Sequence, residues 1–484
     1  VAFISIWSKR LSHPSVYAVY LASEWIIRIS MLLYVPVRRS PSAARAWLLL
    51  IFFLPLPALL LYGLMGRIYV PKRRIALQRR ASQLIRSVQA RLPPPEQRDD
   101  FPEQLIATSE LATQLGDFRP VDGNNVQLLA GYEAPLAALI ADIDAASISI
   151  LMLFYIFDDD ATGQRVAQAL IGAAARGVEC RVLMDAAGSR RGLRRLAPRL
   201  RDAGIAVRAM LPVGLFRRNV GRFDLRNHRK IVVIDDVIAY TGSQNIVNPE
   251  FIPGCPNEEL VVRVTGRVVL QFKAVVLADW FFETTELPSD PLLPDAPRID
   301  VGTTIAQVLP SGPGYGRENT KELMISLIYS ARSEVTIATP YFVPDEPFLQ
   351  AIVAASRRGV RVKLLLTKRS NQAVTHLAQQ SYYSQLLQAG VEIALYQGRF
   401  LHAKHMAVDD RLVLIGSTNM DIRSFALNAE VSLLCYDESV MQQLREVYAS
   451  YMAHSEVLDH VRWSRRPVRR RLLQNIARLA DSLL

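Results

Sequence analysis

The chain has 484 residues, half of them apolar, and its 57 Lys and Arg against 45 Asp and Glu give a formal charge of +12. That length supports large cores and two domains plus an appendage, and the basic surplus points to polyanionic partners, lipid headgroups or nucleic acid, without choosing between them. Three scattered cysteines, Cys180, Cys255 and Cys435, exclude a disulfide framework, lack metal-ligand spacing and fit a reducing compartment.

From Val16 to Val37 the sequence is apolar apart from Glu24 and Arg28, which their spacing pairs on one helix face. The same stretch also reads as an amphipathic helix lying in a membrane interface. Ala46 to Gly66 carries no charge and places Trp47 and Tyr62 near its ends. It is long enough to cross a bilayer, although Pro55 and Pro57 admit a kinked or re-entrant helix. A cleaved signal peptide fits less well, because a second long apolar segment follows the first and no convincing cleavage site precedes it. Residues 1–70 are therefore expected to anchor the chain in a membrane through two hydrophobic helices. Arg67, Lys72, Arg73, Arg74, Arg79 and Arg80 follow, joined by Lys9 and Arg10 if both segments span; only Arg38, Arg39 and Arg45 face the other side. The positive-inside rule then puts the remainder of the chain in the cytoplasm, and the basic cluster also attracts anionic lipid.

Residues 71–120 read as a charged helical linker broken at Pro93-Pro94-Pro95. Beyond it a helix-strand pattern occurs twice. Helices at Gly131 to Ala146 and Gly163 to Ala175 precede the strands Ser147 to Ile156 and Val178 to Met184. In the second half, helices near Glu322 to Ala331 and Pro347 to Arg357 precede Glu334 to Thr339 and Val360 to Leu366. Arg176-Gly177-Val178 matches Arg358-Gly359-Val360, and Ala203-Gly204-Ile205 matches Ala389-Gly390-Val391. Alternation of strand and helix predicts α/β lobes, and the repeat predicts two copies, over 121–290 and 291–455. The first half carries an insertion at about 211–222 with Arg217, Arg218 and Arg222, either a guide for anionic groups or a solvated loop. The tail, 456–484, runs from Arg462 through Arg469-Arg470-Arg471 into an amphipathic helix that either lies on a bilayer or packs on the first lobe.

One segment dominates the reading. His402 and Lys404 precede Asp409, then Gly416-Ser417-Thr418-Asn419 and Asn428-Ala429-Glu430; His228, Lys230, Asp235 and Gly242-Ser243-Gln244-Asn245 repeat the frame, with Glu259 downstream. Two residues apart on a strand, each His and Lys share a face, setting a nucleophile or proton carrier beside an anion clamp suited to phosphate. A single copy is a weak signal; a duplicated one, in a chain with seven histidines, is strong. His405, His376, His454 and His460 fall outside the frame and are read as non-catalytic.

The doubled His-x-Lys-x-x-x-x-Asp and Gly-Ser-x-Asn resemble the phospholipase D superfamily. Asn227 to Asp235, Thr339 to Glu346, Gly416 to Ser424 and Arg45 to Leu50 narrow the resemblance to bacterial cardiolipin synthases. It implies an α/β fold of two phospholipase D-like lobes with mixed sheets flanked by helices, related by a pseudo-twofold axis and preceded by transmembrane helices. The resemblance also counts Asp235 and Asp409 within the catalytic motif, although structural roles suit them better. It further implies phosphatidyl transfer in the bacterial inner membrane, from one phosphatidylglycerol to another, giving cardiolipin and glycerol. The rival in the same fold is a phospholipase D hydrolase, or a transferase using another acceptor such as phosphatidylethanolamine; a dead fold that only binds is disfavoured by two intact motifs.

Two lobes facing across a pseudo-twofold axis place two imidazoles on opposite sides of one phosphorus, as in-line displacement requires. One histidine, with a lean to His228, forms a phosphohistidine, and the other serves as acid and then base. Lys230, Lys404, Asn245 and Asn419 surround the non-bridging oxygens, and Ser243 and Ser417 either donate to the phosphate or shape the turn. Glu259 and Glu430 fix the tautomers of the rings. Related synthases often have aspartate where Glu259 stands, which puts partner geometry in the first half in question. The chemistry calls for no metal or cofactor. The expected partners are anionic phospholipid and a bilayer rather than nucleic acid, and a homo-oligomer is left open.

Overall fold

The computed structural model describes residues 14–39, 41–66, 70–89, 103–212, 224–286 and 301–479. Lys9, Arg10, Arg67, Pro93 to Pro95 and nearly all of the 211–222 insertion, including its three arginines, lie outside them. The chain divides into two compact units, residues 1–69 and 70–482.

In the first unit, helices Pro14–Tyr34, Pro41–Phe53 and Pro55–Leu61 pack around Met31, Trp47, Ile51, Ala58 and Tyr62. Glu24 and Arg28 pair at 3.0 Å, as their spacing requires, and Arg28 Nε also donates to the Phe52 carbonyl. The uncharged run from Ala46 to Gly66 is not one helix. Pro55 lacks the N–H that would continue the preceding helix, so Leu54 ends one element and Pro55 begins another at its favoured first position. No helix among the described residues is long and apolar enough to cross a membrane.

The second unit is organised by one long sheet. In the first lobe its strands are β1 (Val121–Ala130), β2 (Ser149–Phe154), β3 (Glu179–Asp185), β4 (Ala206–Met210), β5 (Lys230–Ile234), β6 (Ile238–Gly242) and β7 (Leu260–Thr265). The second lobe repeats them as β8 (Thr304–Ser311), β9 (Glu334–Thr339), β10 (Arg361–Thr367), β11 (Glu392–Tyr396), β12 (His405–Val408), β13 (Leu412–Gly416) and β14 (Asn428–Tyr436). Their order, β11-β10-β9-β12-β13-β14-β8-β1-β7-β6-β5-β2-β3-β4, is the same read from either lobe. The antiparallel pair β1 and β8 forms the seam, with Val121 opposite Ala306, and a short strand, Ser455–Val457, extends the β11 edge. The sheet is mixed: β2-β3-β4 and β9-β10-β11 run parallel, and the motif strands β5 and β12 pair antiparallel with both neighbours.

Local chemistry repeats with the topology. Gly177 and Gly359 end matching helices at φ of 90° and 92°, a left-handed conformation that costs glycine little. The arginine before each reaches back to cap two carbonyls of an adjacent helix end, Arg176 on Ile143 and Ala146, Arg358 on Ile328 and Ala331.

The described parts of the linker are not a free spacer. Helix Lys72–Gln89 buries Ile85 in the core beneath the seam, and helix Glu103–Gly116 buries Ala112 and Leu115 in the second lobe's core. The tail helix Val468–Arg478 packs on helix Ala373–Gln388 of the second lobe, through Gln474 to Gln380 at 2.8 Å and buried Ala477. This corrects the first-lobe alternative for the tail.

Candidate active site

The two motif histidines stand just before β5 and β12, and backbone pairing across the lobes holds both. Arg226–Asn227 runs parallel to Asn428–Ala429, and His228 N–H donates to the Ala429 carbonyl at 2.8 Å. Phe400–Leu401 runs parallel to Asn257–Glu258, and His402 N–H donates to the Glu258 carbonyl at 2.8 Å. Each motif strand is thus stitched to the segment that carries the other lobe's glutamate.

The carboxylates consequently cross over. His228 Nδ1 meets Glu430 at 3.0 Å, and His402 Nδ1 meets Glu259 at 2.8 Å. A proton held on Nδ1 by a carboxylate leaves Nε2 as the reacting nitrogen of each ring. Partner geometry in the first half, placed in question by Glu259, is resolved because Glu259 serves the second half's histidine.

Each glutamate is itself fixed. Ser243 Oγ donates to Glu259 and Ser417 Oγ to Glu430, while Asn257 Nδ2 and Asn428 Nδ2 donate to them at 3.1 and 3.2 Å. Both serines are fully buried, and each spends its single hydroxyl proton on a carboxylate. To the two readings, phosphate donor or turn former, the structure adds a third role: both serines orient the glutamates. Asn257 was missed as a site residue, although Asn-x-Glu recurs at Asn257 to Glu259 and Asn428 to Glu430 and offered a signal.

Lys230 and Lys404 are almost fully buried, and each Nζ donates to the carbonyl of its own motif histidine. Asn245 accepts from Ile156 N–H through Oδ1, and Asn419 Nδ2 donates to Ser424. Asp235 and Asp409 do not join the site. Each lies at the far end of its strand with φ of 52° and accepts backbone N–H groups of the chain entering β2 or β9, Ser147 to Ser149 and Arg332 to Glu334 respectively. His405 is buried with no hydrogen-bond partner among the described residues, His376 bonds Gln380, and His454 bonds the Ser450 carbonyl.

The charge balance follows from burial. It pushes both imidazoles down to about 4, with Lys230 and Lys404 adding to the effect on His228 and the glutamate opposing it on each ring. Burial likewise lowers Lys230 to about 7 and Lys404 to about 8. It acts to raise Glu259, yet His402, Lys404 and Ser243 overcome it and hold that carboxyl at about 2; Glu430 is held low in the same way by His228, Lys230 and Ser417. An anion arriving between the lysines restores what burial removes, favouring the charged ammoniums and a protonated imidazole.

The lobes differ in what surrounds the rings. Tyr155 lies 4.8 Å from His228, ring centre to ring centre, whereas Phe251 and Phe400 lie 5.1 and 5.9 Å from His402. In the first lobe alone, buried Arg229 ties the Glu430 carbonyl to the Ser311 carbonyl and Asp279. The corresponding position in the second motif is Ala403. Tyr155, Phe251 and Arg229 carried no signal in a single sequence, because their contacts are made by segments distant along the chain.

The family described as cardiolipin synthase, PLD-like domain, matches residues 139–280 and 324–452, spanning both motifs. The chain belongs to that family. The cardiolipin synthase A of Yersinia pseudotuberculosis serotype IB (strain PB1/+) is 37% identical over 462 residues, 92% of this chain and 94% of that protein. The cardiolipin synthase A of Pectobacterium carotovorum subsp. carotovorum (strain PC1) is 36% identical over 464 residues, with the same shares of each chain. Among solved structures, the phosphatidylserine synthase of Haemophilus influenzae Rd KW20 superposes with a TM-score of 0.58 over 79% of this chain and 99% of that one. At 17% identity that likeness bears on the fold alone, and the fold is shared with this cardiolipin synthase family member.

Proposed function

We propose that this protein is a cardiolipin synthase, a phosphatidyltransferase that joins two phosphatidylglycerols and releases glycerol. The observation that carries the reading is the pair of crossed Glu–His couples, each freeing an Nε2 beside a buried lysine. The neutral histidine attacks phosphorus through Nε2 while the bond from phosphorus to the departing glycerol oxygen breaks. The second histidine, protonated, gives its Nε2 proton to that oxygen. Glycerol leaves and a phosphatidyl-histidine remains. A hydroxyl of the second phosphatidylglycerol then attacks the phosphorus, passes its proton to the second histidine and breaks the P–N bond, which restores both rings. Lys230, Lys404 and the amide donors of Asn245 and Asn419 hold the non-bridging oxygens as charge develops.

Residues 1–70 serve as the membrane anchor, with the catalytic unit on the cytoplasmic face of a bacterial inner membrane. Support comes from the exposed apolar side chains of the first unit, among them Ile26, Leu33, Phe53 and Leu60, which suit a bilayer better than water.

Mass spectrometry of the lipids formed by purified protein given only phosphatidylglycerol tests the reading. Cardiolipin with equimolar glycerol is expected. Phosphatidic acid alone would make water the acceptor, and product appearing only on addition of phosphatidylethanolamine would make that lipid the second substrate.

A further inference from the structure

The tail helix Val468–Arg478 is amphipathic in a way its packing leaves unused. Gln474 and Ala477 face helix Ala373–Gln388 and are buried, Arg470 reaches Gln380, and the Arg478 guanidinium lies 4.5 Å from the Tyr382 ring centre. The opposite face carries Val468, Leu472, Ile476 and Leu479, spaced to form one stripe at 3.6 residues per turn and left 76, 59, 54 and 78% exposed. Exposed leucines and valines scattered singly need no explanation, but four in register on one helix form a patch. Arg465, Arg469 and Arg471 are exposed around it, and no carboxylate occurs between His460 and Ala480.

We infer that this stripe is a second lipid-contacting surface, carried by the catalytic unit itself and seating the second lobe on an anionic bilayer. The inference rests on the lipid substrate proposed above. Charge decides the occupant: a segment with arginines and no acidic side chain complements a surface of lipid phosphates, whereas a second copy of this basic segment would be repelled by it. Arginine stems lie along the apolar stripe and lift their guanidinium groups to the phosphate level, while the leucines and valines enter the acyl boundary. A helix held at one face by Gln380 and Tyr382 offers the other with little ordering still to be done on binding.

The test places an environment-sensitive fluorophore at Leu472→Cys and, separately, at Ile476→Cys in the full-length chain; Cys180, Cys255 and Cys435 are buried and stay unlabelled. The protein is reconstituted in phosphatidylglycerol-phosphatidylcholine vesicles carrying a doxyl quencher in the acyl region, and in phosphatidylcholine vesicles with the same quencher. Blue-shifted emission, with quenching at both positions that is at least several-fold stronger in the anionic vesicles, is expected. Water-like, unquenched emission in both would overturn the inference, as would equal quenching in both vesicle types, which removes the electrostatic half. Emission that shifts with protein concentration in lipid-free detergent would assign the stripe to a second copy instead. Product analysis on the same samples scores the synthase reading independently, since absent cardiolipin with strong quenching indicts the reaction and not the surface.

Discussion

In the proposed mechanism turnover depends on His228 and His402, and replacing either with alanine is expected to abolish cardiolipin formation while leaving circular dichroism and the urea midpoint near those of the parent. Glu430→Gln and Glu259→Gln keep a hydrogen bond but remove the charge that fixes the Nδ1 proton; each should lower kcat by roughly 10²–10⁴-fold, measured with saturating phosphatidylglycerol. Because the couples cross, a probe of imidazole protonation such as histidine NMR should report loss at His228 in Glu430→Gln and at His402 in Glu259→Gln. The reverse pattern would refute the crossing. Asp235→Ala should behave differently: it strands three backbone N–H groups at the start of β2 and should cost about 1–3 kcal/mol in the urea midpoint with kcat little changed. At this scale the sequence displayed, through its duplicated spacing, the two histidine-lysine pairs that the fold buries beside the crossed glutamates. It did not display which glutamate serves which histidine, since that depends on two interlobe pairings of two residue pairs each, too brief to leave a periodic trace.

The elements themselves were legible wherever one period dominated. The strand Glu334–Thr339 emerges at its expected limits, and the helix expected near Pro347 to Arg357 starts one residue earlier, at Glu346 with Asp345 as its cap. The connector's charge pattern describes its solvent side and says little of the few apolar residues beneath. Leu115, buried in the second lobe's core, belongs to that connector. Leu115→Ala should therefore cost about 2–5 kcal/mol, the range for emptying a packed core position, and lower the urea midpoint of the catalytic unit accordingly. A true spacer would tolerate the change without loss. The N-terminal run from Ala46 divides at Pro55, one of the two prolines that admitted a kink in the sequence.

For the whole molecule, burying two imidazoles with two ammoniums makes stability depend on pH. The folded imidazoles titrate near 4 against 6.5 for the free group. Between those values the unfolded chain takes up protons that the folded chain refuses, so stability rises with pH there and falls on acidification from 6.5 towards 4. Each imidazole contributes up to about 3 kcal/mol to that loss. Glu259, held at about 2 against 4.5, adds a further loss of the same sign lower down, as its carboxylate is protonated. Urea unfolding at pH 7.5, 5.5 and 4.5 should show the midpoint dropping stepwise, and a His228→Asn, His402→Asn double variant should flatten the upper part of that slope.

The palindromic sheet carries one more implication. Neither half owns a complete reactive ring: separating the lobes at the seam strips both imidazoles of their carboxylates together. In the proposed mechanism, a molecule whose lobes have loosened thus loses its attacking group and its proton donor in the same event. It falls silent and does not survive as a half-competent species that cuts lipids and hands the fragments to water. For the lipid substrate proposed above, that interlock would keep a loosened catalyst from degrading its own supply.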